Sequence, residues 1–257
     1  MISLEENLLL SIVIPAFNEE AWVSNCLKSL SQELGRKGYH AEIILVNNAS
    51  TDRTRHIAES YPGITVVDEP HKGLARARQA GFMVSSGNLI ANIDADTKLP
   101  PGWIDTVLRE FQQNSNLVAL SGPFIYYDLS IVTRVLVRLY YFCAAGLHAV
   151  NHRILGAGAV IQGGNFVLRR RALEKIGGYD PRFEFYGEDA DIACRIQKVG
   201  DVKFTFKLPM QSSGRRLKEE GSVTVGFRYI VNYFWTTFLR EPFTKGSRDI
   251  RTDPNSS

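Results

Sequence analysis

The sequence is short of cysteine, of long apolar runs and of concentrated charge, and each shortage excludes something. Its three cysteines, Cys26, Cys143 and Cys194, are odd in number and scattered. They fit neither a disulfide framework nor a zinc site and read as reduced thiols of a cytosolic protein. His71, His148 and His152 have no ligand-like spacing either and are expected to be structural. The run closest to the roughly 20 apolar residues that span a bilayer is Ile131 to Val150, broken by Arg134, Arg138 and His148. A transmembrane helix is excluded there, and a peripheral membrane contact stays open. The first residues, Met1-Ile-Ser-Leu-Glu-Glu, carry acids where a secretory leader carries bases, so none is expected. A net charge of +3 with no block of like charges argues against a nucleic-acid partner. Repeats and low-complexity segments are also missing.

What is present is an alternation. Leu8 to Pro15, Glu42 to Val46, Ile64 to Val67 and Leu89 to Ile93 are short β-rich apolar runs. Between them lie stretches with apolar residues at helical spacing: Trp22, Cys26, Leu27, Leu30 and Leu34, then Ile57 and Ala58 after an N-cap at Ser50 or Thr51, then Leu74, Ala77, Gly81 and Val84. Strands alternating with helices predict a mostly parallel, doubly wound α/β sheet. Such sheets bind ligands beyond the carboxyl ends of their strands. Three polar clusters fall at those ends: Ala16 to Glu19, Asn47 to Asp52, and Asp94 to Thr97.

Asp94-Ala95-Asp96 closes the fourth strand. The stretch from Leu89 reads as a short buried strand that ends in these two carboxylates, and strand alternation puts both on one face with Ala95 pointing away. Two adjacent hard oxygen donors suit Mg2+ or Mn2+, whose other ligands are waters and phosphates; a solvated turn is the plainer reading. After Trp103 to Phe111, expected helical, Val118 to Tyr127 reads as a strand pair or a strand kinked at Gly122-Pro123, and Ile131 to Val150 as an amphipathic helix. Gly163 to Leu168 should be a strand entered through a glycine turn, and Arg171 to Ile176 a short helix. Glu188, Asp189 and Asp191 then crowd the first turn of a helix running to Gly200. Favourable placement against the helix dipole explains one or two acids there; three invite a functional role.

In sequence, SIVIPAFNEE from Ser11, VNNASTDRT from Val46, HKGLARARQAG from His71, NIDADT from Asn92, GGNFVLRRRALEKIGGYD from Gly163 and YGEDADIACRIQKVG from Tyr186 resemble the family 2 glycosyltransferases, in the family's own order. The resemblance implies an α/β GT-A (Rossmann-like) fold, a mixed, mostly parallel sheet flanked by helices. It implies a nucleotide-sugar-binding half over residues 1–98, an acceptor-binding half over 99–215 and a helical extension over 216–257. Pro15, Ala16, Phe17 and Glu19 would hold the nucleotide, and Asn47 would read its base. Lys72, Gly73 and Arg78 would line the diphosphate, Asp94 and Ala95 would face the ribose or metal, and Asp96, with Asp94, would bind Mg2+ or Mn2+. Gly164, Asn165 and Glu188 would lie on the acceptor side, and Asp189 would be the catalytic base. The implied reaction is inverting transfer of one sugar from a UDP- or GDP-sugar to a hydroxyl of a glycan or lipid-linked glycan, a step of polysaccharide or glycolipid synthesis.

Departures from the family pattern bear on these roles. Asn47-Asn48 stands where acids are usual, which opens the choice of base. Gln79 replaces an asparagine, and Leu208 to Ser213 offers the metal no histidine. No Gln-x-x-Arg-Trp motif is present, so one sugar per encounter is expected. Arg215-Arg216 reads either as a loop closing over the diphosphate or as an exposed basic turn. Phe227 to Leu239 reads as a packing helix or as an interfacial one. The expected location is cytoplasmic, with peripheral contact at the inner face of a membrane as the alternative. A sugar nucleotidyltransferase and a non-catalytic nucleotide-sugar-binding scaffold remain the competing functions.

Overall fold

Ile12, Val13 and Ile14 give β1, Leu10–Ala16, side chains that suit a strand covered on both faces, and the whole strand is buried. The computed structural model describes residues 8–142, 160–183, 185–239, 241 and 243. β1 pairs in parallel with β2, Ala41–Asn47, which pairs in parallel with β3, Ile64–Asp68. The connecting helices are α1, Val23–Lys37, α2, Thr54–Glu59, and α3, Leu74–Val84. β4, Leu89–Ile93, then pairs with the other side of β1. The strand order reverses between β1 and β4, so their carboxyl ends adjoin at a topological switch point.

β5, Thr97–Lys98, α4, Trp103–Gln113, β6, Leu117–Ser121, and β7, Phe124–Tyr126, follow, with α5 helical across 131–142. Then come β8, Asn165–Arg169, α6, Arg170–Lys175, α7, Glu188–Ile196, β9, Asp201–Phe204, β10, Met210–Ser212, α8, Arg215–Glu219, and α9, Ser222–Leu239. The main sheet has seven strands in the order β3-β2-β1-β4-β8-β6-β9, and a second sheet has the order β5-β10-β7. β8 runs antiparallel to both β4 and β6, so the mixed, mostly parallel sheet is the expected one. One core cluster gathers Leu27, Leu30, Trp103 and Phe111 from α1 and α4. The other gathers Ala77, Leu173 and Ile192 from α3, α6 and α7. α3 lies flush on the sheet at Gly81, where a Cβ would sit 2.3 Å from Val13 Cγ1 and 3.1 Å from Val46 Cγ2.

Local differences from expectation have physical causes. Neither Ser50 nor Thr51 caps α2: the helix starts after Arg53, Asp52 Oδ1 accepts from Thr54 N–H at 2.9 Å, and Ser50 Oγ is occupied with Asn18 N–H at 3.1 Å. The Val118 to Tyr127 stretch splits at Gly122-Pro123 into strands of two different sheets. α9 buries Val225, Asn232 and Thr236 and exposes Phe227, Tyr229 and Trp235, so it packs by one face and leaves aromatic side chains of the other in the open. No helix among the described residues is long and apolar enough to cross a membrane. Residues 143–150 of the expected helix, with Cys143, His148 and His152, the first residues and the C-terminal tail lie outside the described residues.

Candidate active site

Residues 94–97 form a turn, not a strand end: Thr97 N–H donates to the Asp94 carbonyl at 3.1 Å, and the Thr97 hydroxyl donates to it at 2.7 Å. Strand alternation therefore does not arrange the two carboxylates. The turn does, and it sends them to different cations while Ala95 packs into the core. Asp94 Oδ1 meets Arg78 Nη2 at 3.4 Å. Asp96 Oδ2 meets Arg215 Nε at 3.3 Å.

Arg78 projects from α3, is fully buried, and lies over the Phe166 ring at 5.0 Å. Its other arm forms an ion pair with Glu188 at the start of α7. One guanidinium thus ties the turn after β4 to the helix that carries the acidic triplet. Burial pushes the Glu188 carboxyl up to about 7, against the pull of Arg78. The three acids of α7 have separate fates. Glu188 is held by Arg78, and Asp191 by Arg195 at 2.6 Å. Among the described residues, Asp189 takes backbone donors, from Ala190 N–H at 2.8 Å and Gly163 N–H at 3.3 Å. It is half-buried, and its burial raises its pKa.

The glycine turn before β8 fits around these groups. At Gly164, φ is +78° and a Cβ would lie 2.0 Å from Asp94 Oδ2, so the Asp94 carboxylate occupies the space a side chain would need. Asn165 is buried beneath the site. Its amide donates to the carbonyls of Gly122 and Leu208 at 2.9 and 2.8 Å and accepts from Trp103 Nε1 at 3.0 Å. It works as a strut between sheet, α4 and the loop before β10.

Pro15 and Ala16 end β1 opposite Val46 and Asn47 of β2, and side chains of the two following loops stitch them together. Glu19 N–H donates to Thr54 Oγ1 at 2.7 Å, and Thr51 N–H to Asn18 Oδ1 at 2.8 Å. Lys72 Nζ sits 4.1 Å above the Phe17 ring, which brings the loop before α3 onto the loop after β1. Gly73 N–H donates to Asn48 Oδ1 at 2.9 Å, while Asn48 Nδ2 donates to the His71 carbonyl at 2.7 Å. Asn48 is thereby a clamp on the Lys72-Gly73 loop. Asn47 is buried and donates from Nδ2 to Asp68 Oδ1 at 2.9 Å, while its Oδ1 has no hydrogen-bond partner among the described residues. The bond from Asn47, with Arg55 beside it, holds the Asp68 carboxyl below the usual range.

Arg215 and Arg216 part company. Arg215 reaches Glu19 Oε1 at 2.5 Å as well as Asp96, over the Trp22 ring at 5.7 Å. Arg216 turns away, to Glu220 at 3.0 Å and the Phe185 ring at 4.6 Å. The second sheet explains the first placement: antiparallel pairing of β10 with β5 sets Ser212 opposite Thr97, which carries residue 215 to the turn. Asp128 fixes the intervening loop through Ser213 Oγ at 3.0 Å and Gly214 N–H at 2.6 Å. Asp68, Asp128 and Trp22 were invisible as site residues in the sequence, since each acts through a contact between distant segments.

Among the described residues, no three His, Cys, Asp or Glu side chains cluster closely enough to cage a metal ion. The donors present are hard carboxylate oxygens, and a guanidinium already lies between Glu19 and Asp96, so the site attracts cations. These residues fit Mg2+ or Mn2+ bound through one or two carboxylates with phosphate oxygens and water completing the shell.

A family model described as "Glycosyl transferase family 2" matches residues 11–177, and one described as "N-terminal domain of galactosyltransferase" matches residues 149–212. A probable glycosyltransferase of Bacillus subtilis is 30% identical over 200 residues, covering 74% of this chain and 47% of that protein. The chain thus spans about half the length of that curated relative. Among solved structures, a mannosyltransferase from Pyrobaculum calidifontis in complex with GDP-Man and Mn2+ superposes with a TM-score of 0.64 at 18% identity, covering 90% of this chain and 63% of that one. Glucosyl-3-phosphoglycerate synthase of Mycobacterium tuberculosis, solved with Mn2+, UDP and phosphoglyceric acid, gives 0.59 at 20% identity, covering 90% and 78%.

Proposed function

Since the chain belongs to glycosyl transferase family 2 and is a glycosyltransferase of GT-A fold, we propose that it transfers one sugar, with inversion, from a UDP- or GDP-sugar to an acceptor hydroxyl of a glycan or lipid-linked glycan. The observation that carries this reading is the Asp94–Arg78–Glu188 bridge, because it makes the turn at the switch point and the helix bearing Asp189 one rigid unit. Residues 1–98 serve the donor and 99–215 the acceptor in this assignment.

Pro15, Phe17 and Asn47 line the nucleotide's place, with Asn47 offering its carbonyl oxygen to the base. Mg2+ or Mn2+, held by Asp96 and Asp94, would supply positive charge to the diphosphate as it leaves. Arg215 gives up Glu19 and Asp96 for the diphosphate, a more highly charged partner, and so closes α8 over it. The partly buried Asp189, its pKa raised, takes the acceptor's proton. The acceptor oxygen bonds to the anomeric carbon as the carbon–oxygen bond to the diphosphate breaks, and the electron pair leaves with the nucleotide. A single displacement inverts the anomeric centre.

The test is Asp189→Asn. Turnover should fall about 100- to 10,000-fold, while the rise in melting temperature given by UDP or GDP with Mn2+ stays as in the wild type. Survival of turnover would exclude Asp189 as the base. A melting temperature indifferent to UDP, GDP, CDP and dTDP would exclude the donor site.

A further inference from the structure

α5 turns apolar side chains to solvent. Thr133, Val137 and Tyr141, spaced four apart, form its inward stripe, whereas Ile131 and Val132 are 72% and 70% exposed and Leu136 60%. Val135, Leu139 and Phe142 are also exposed, and with Ile131 they run along the crest opposite that stripe. The helix is properly started, with Ser130 Oγ accepting from Thr133 N–H at 3.2 Å. Soluble helices put polar residues on such a face, and a contiguous apolar patch marks an interaction surface.

The charge on the helix indicates what covers it. Residues 131–142 contain no acid, and their two charged side chains are Arg134 and Arg138, both exposed and one turn apart on one flank of the crest. Arg138 lies over the Phe142 ring at 5.9 Å, and Phe142 stacks on Phe206 at 4.6 Å. An apolar crest, aromatic rings and a basic flank form the pattern of a helix lying in the plane of a membrane interface. The last described turn of the helix reaches the site. Tyr141 donates to Gln162 Oε1 at 2.7 Å, and the next residue, Gly163, donates to Asp189.

We propose that α5 docks this protein on the surface of an anionic lipid bilayer, with its crest in the headgroup–acyl boundary and Arg134 and Arg138 against the lipid phosphates. Resting on the reading of Asp189 as the base, this makes the acceptor one whose hydroxyl is presented at the bilayer surface.

Co-sedimentation with vesicles of phosphatidylcholine, with and without phosphatidylglycerol, tests it. The full chain should bind the anionic vesicles, less so as salt rises from about 0.05 to 0.5 M. The double variant Val135→Glu, Leu139→Glu should bind at least about tenfold more weakly, and Arg134→Gln, Arg138→Gln should lose the preference for anionic lipid. All four side chains are exposed, so an unchanged melting temperature and an unchanged shift with UDP certify the fold. Absence of sedimentation, or sedimentation unaffected by both variants, overturns the proposal. So does a solution dimer that the glutamate variant dissolves without change in vesicle binding, which assigns the face to a second copy. Asp189→Asn should sediment as the wild type does, so loss of the base and loss of the docking face are read separately.

Discussion

Arg78 shows how much of this site depends on one side chain. Its guanidinium is fully buried between Asp94 and Glu188, and removing one partner of a buried pair leaves charge stranded. Arg78→Met should cost about 3–5 kcal/mol in urea unfolding at pH 8. The loss should shrink towards pH 4.5. Glu188 is raised to about 7 from its ordinary 4.5 even with Arg78 present, and without that cation burial raises it further. A carboxyl raised in the native state contributes stability below its unfolded pKa and loses it as pH rises through the folded one. A loss equal at both pH values would show that Glu188 is not the stranded group. The residue types of the site were readable from the motifs; their partners were not. Nothing in the sequence says that Asn165 is spent on Gly122, Leu208 and Trp103, or that Asp68 orients Asn47, because these contacts join segments far apart in the chain.

At the scale of elements, the turn after β4 and the short β5–β10 pairing decide where the charges go. The strands and helices of the first half follow from hydrophobic periodicity, and they lie within a few residues of their expected bounds. The fate of Asp94-Ala95-Asp96 did not follow, since alternation was extended through residues that Thr97 folds into a turn. Nor did the placement of Arg215 beside Glu19 and Asp96, which depends on the register of Ser212 with Thr97. That register leads to a prediction. A guanidinium between Glu19 and Asp96 competes with a divalent cation for the same oxygens, so Arg215→Gln should tighten binding of Mn2+ alone about fivefold, the worth of a partly exposed ion pair. The same variant should bind UDP or GDP more weakly. Calorimetric titrations with Mn2+ and with nucleotide separate the two effects, and weaker Mn2+ binding by the variant would contradict the competition.

For the whole molecule, a mostly parallel sheet that binds its ligand beyond the carboxyl ends of its strands was the strongest inference available from sequence, because alternating elements and polar strand ends both point to it. The antiparallel insertion of β8 between β4 and β6 was not, since periodicity carries no information on pairing partners. That insertion joins early and late parts of the chain: β8, Asn165–Arg169, is hydrogen-bonded along the length of β4. Unfolding should therefore be one cooperative transition, with far-UV circular dichroism and tryptophan fluorescence giving coincident urea curves. Two separated transitions would mean that residues 1–98 and 99–215 are stable apart.

Gly81 sets the standoff between α3 and the sheet, and Arg78 projects from the same helix less than a turn earlier. A methyl group there would lift the helix off Val13 and Val46 and carry the guanidinium away from both carboxylates at once. The spacing of the Asp94 turn from the start of α7 is thus calibrated by a hydrogen atom, at a residue that offers no functional group of its own.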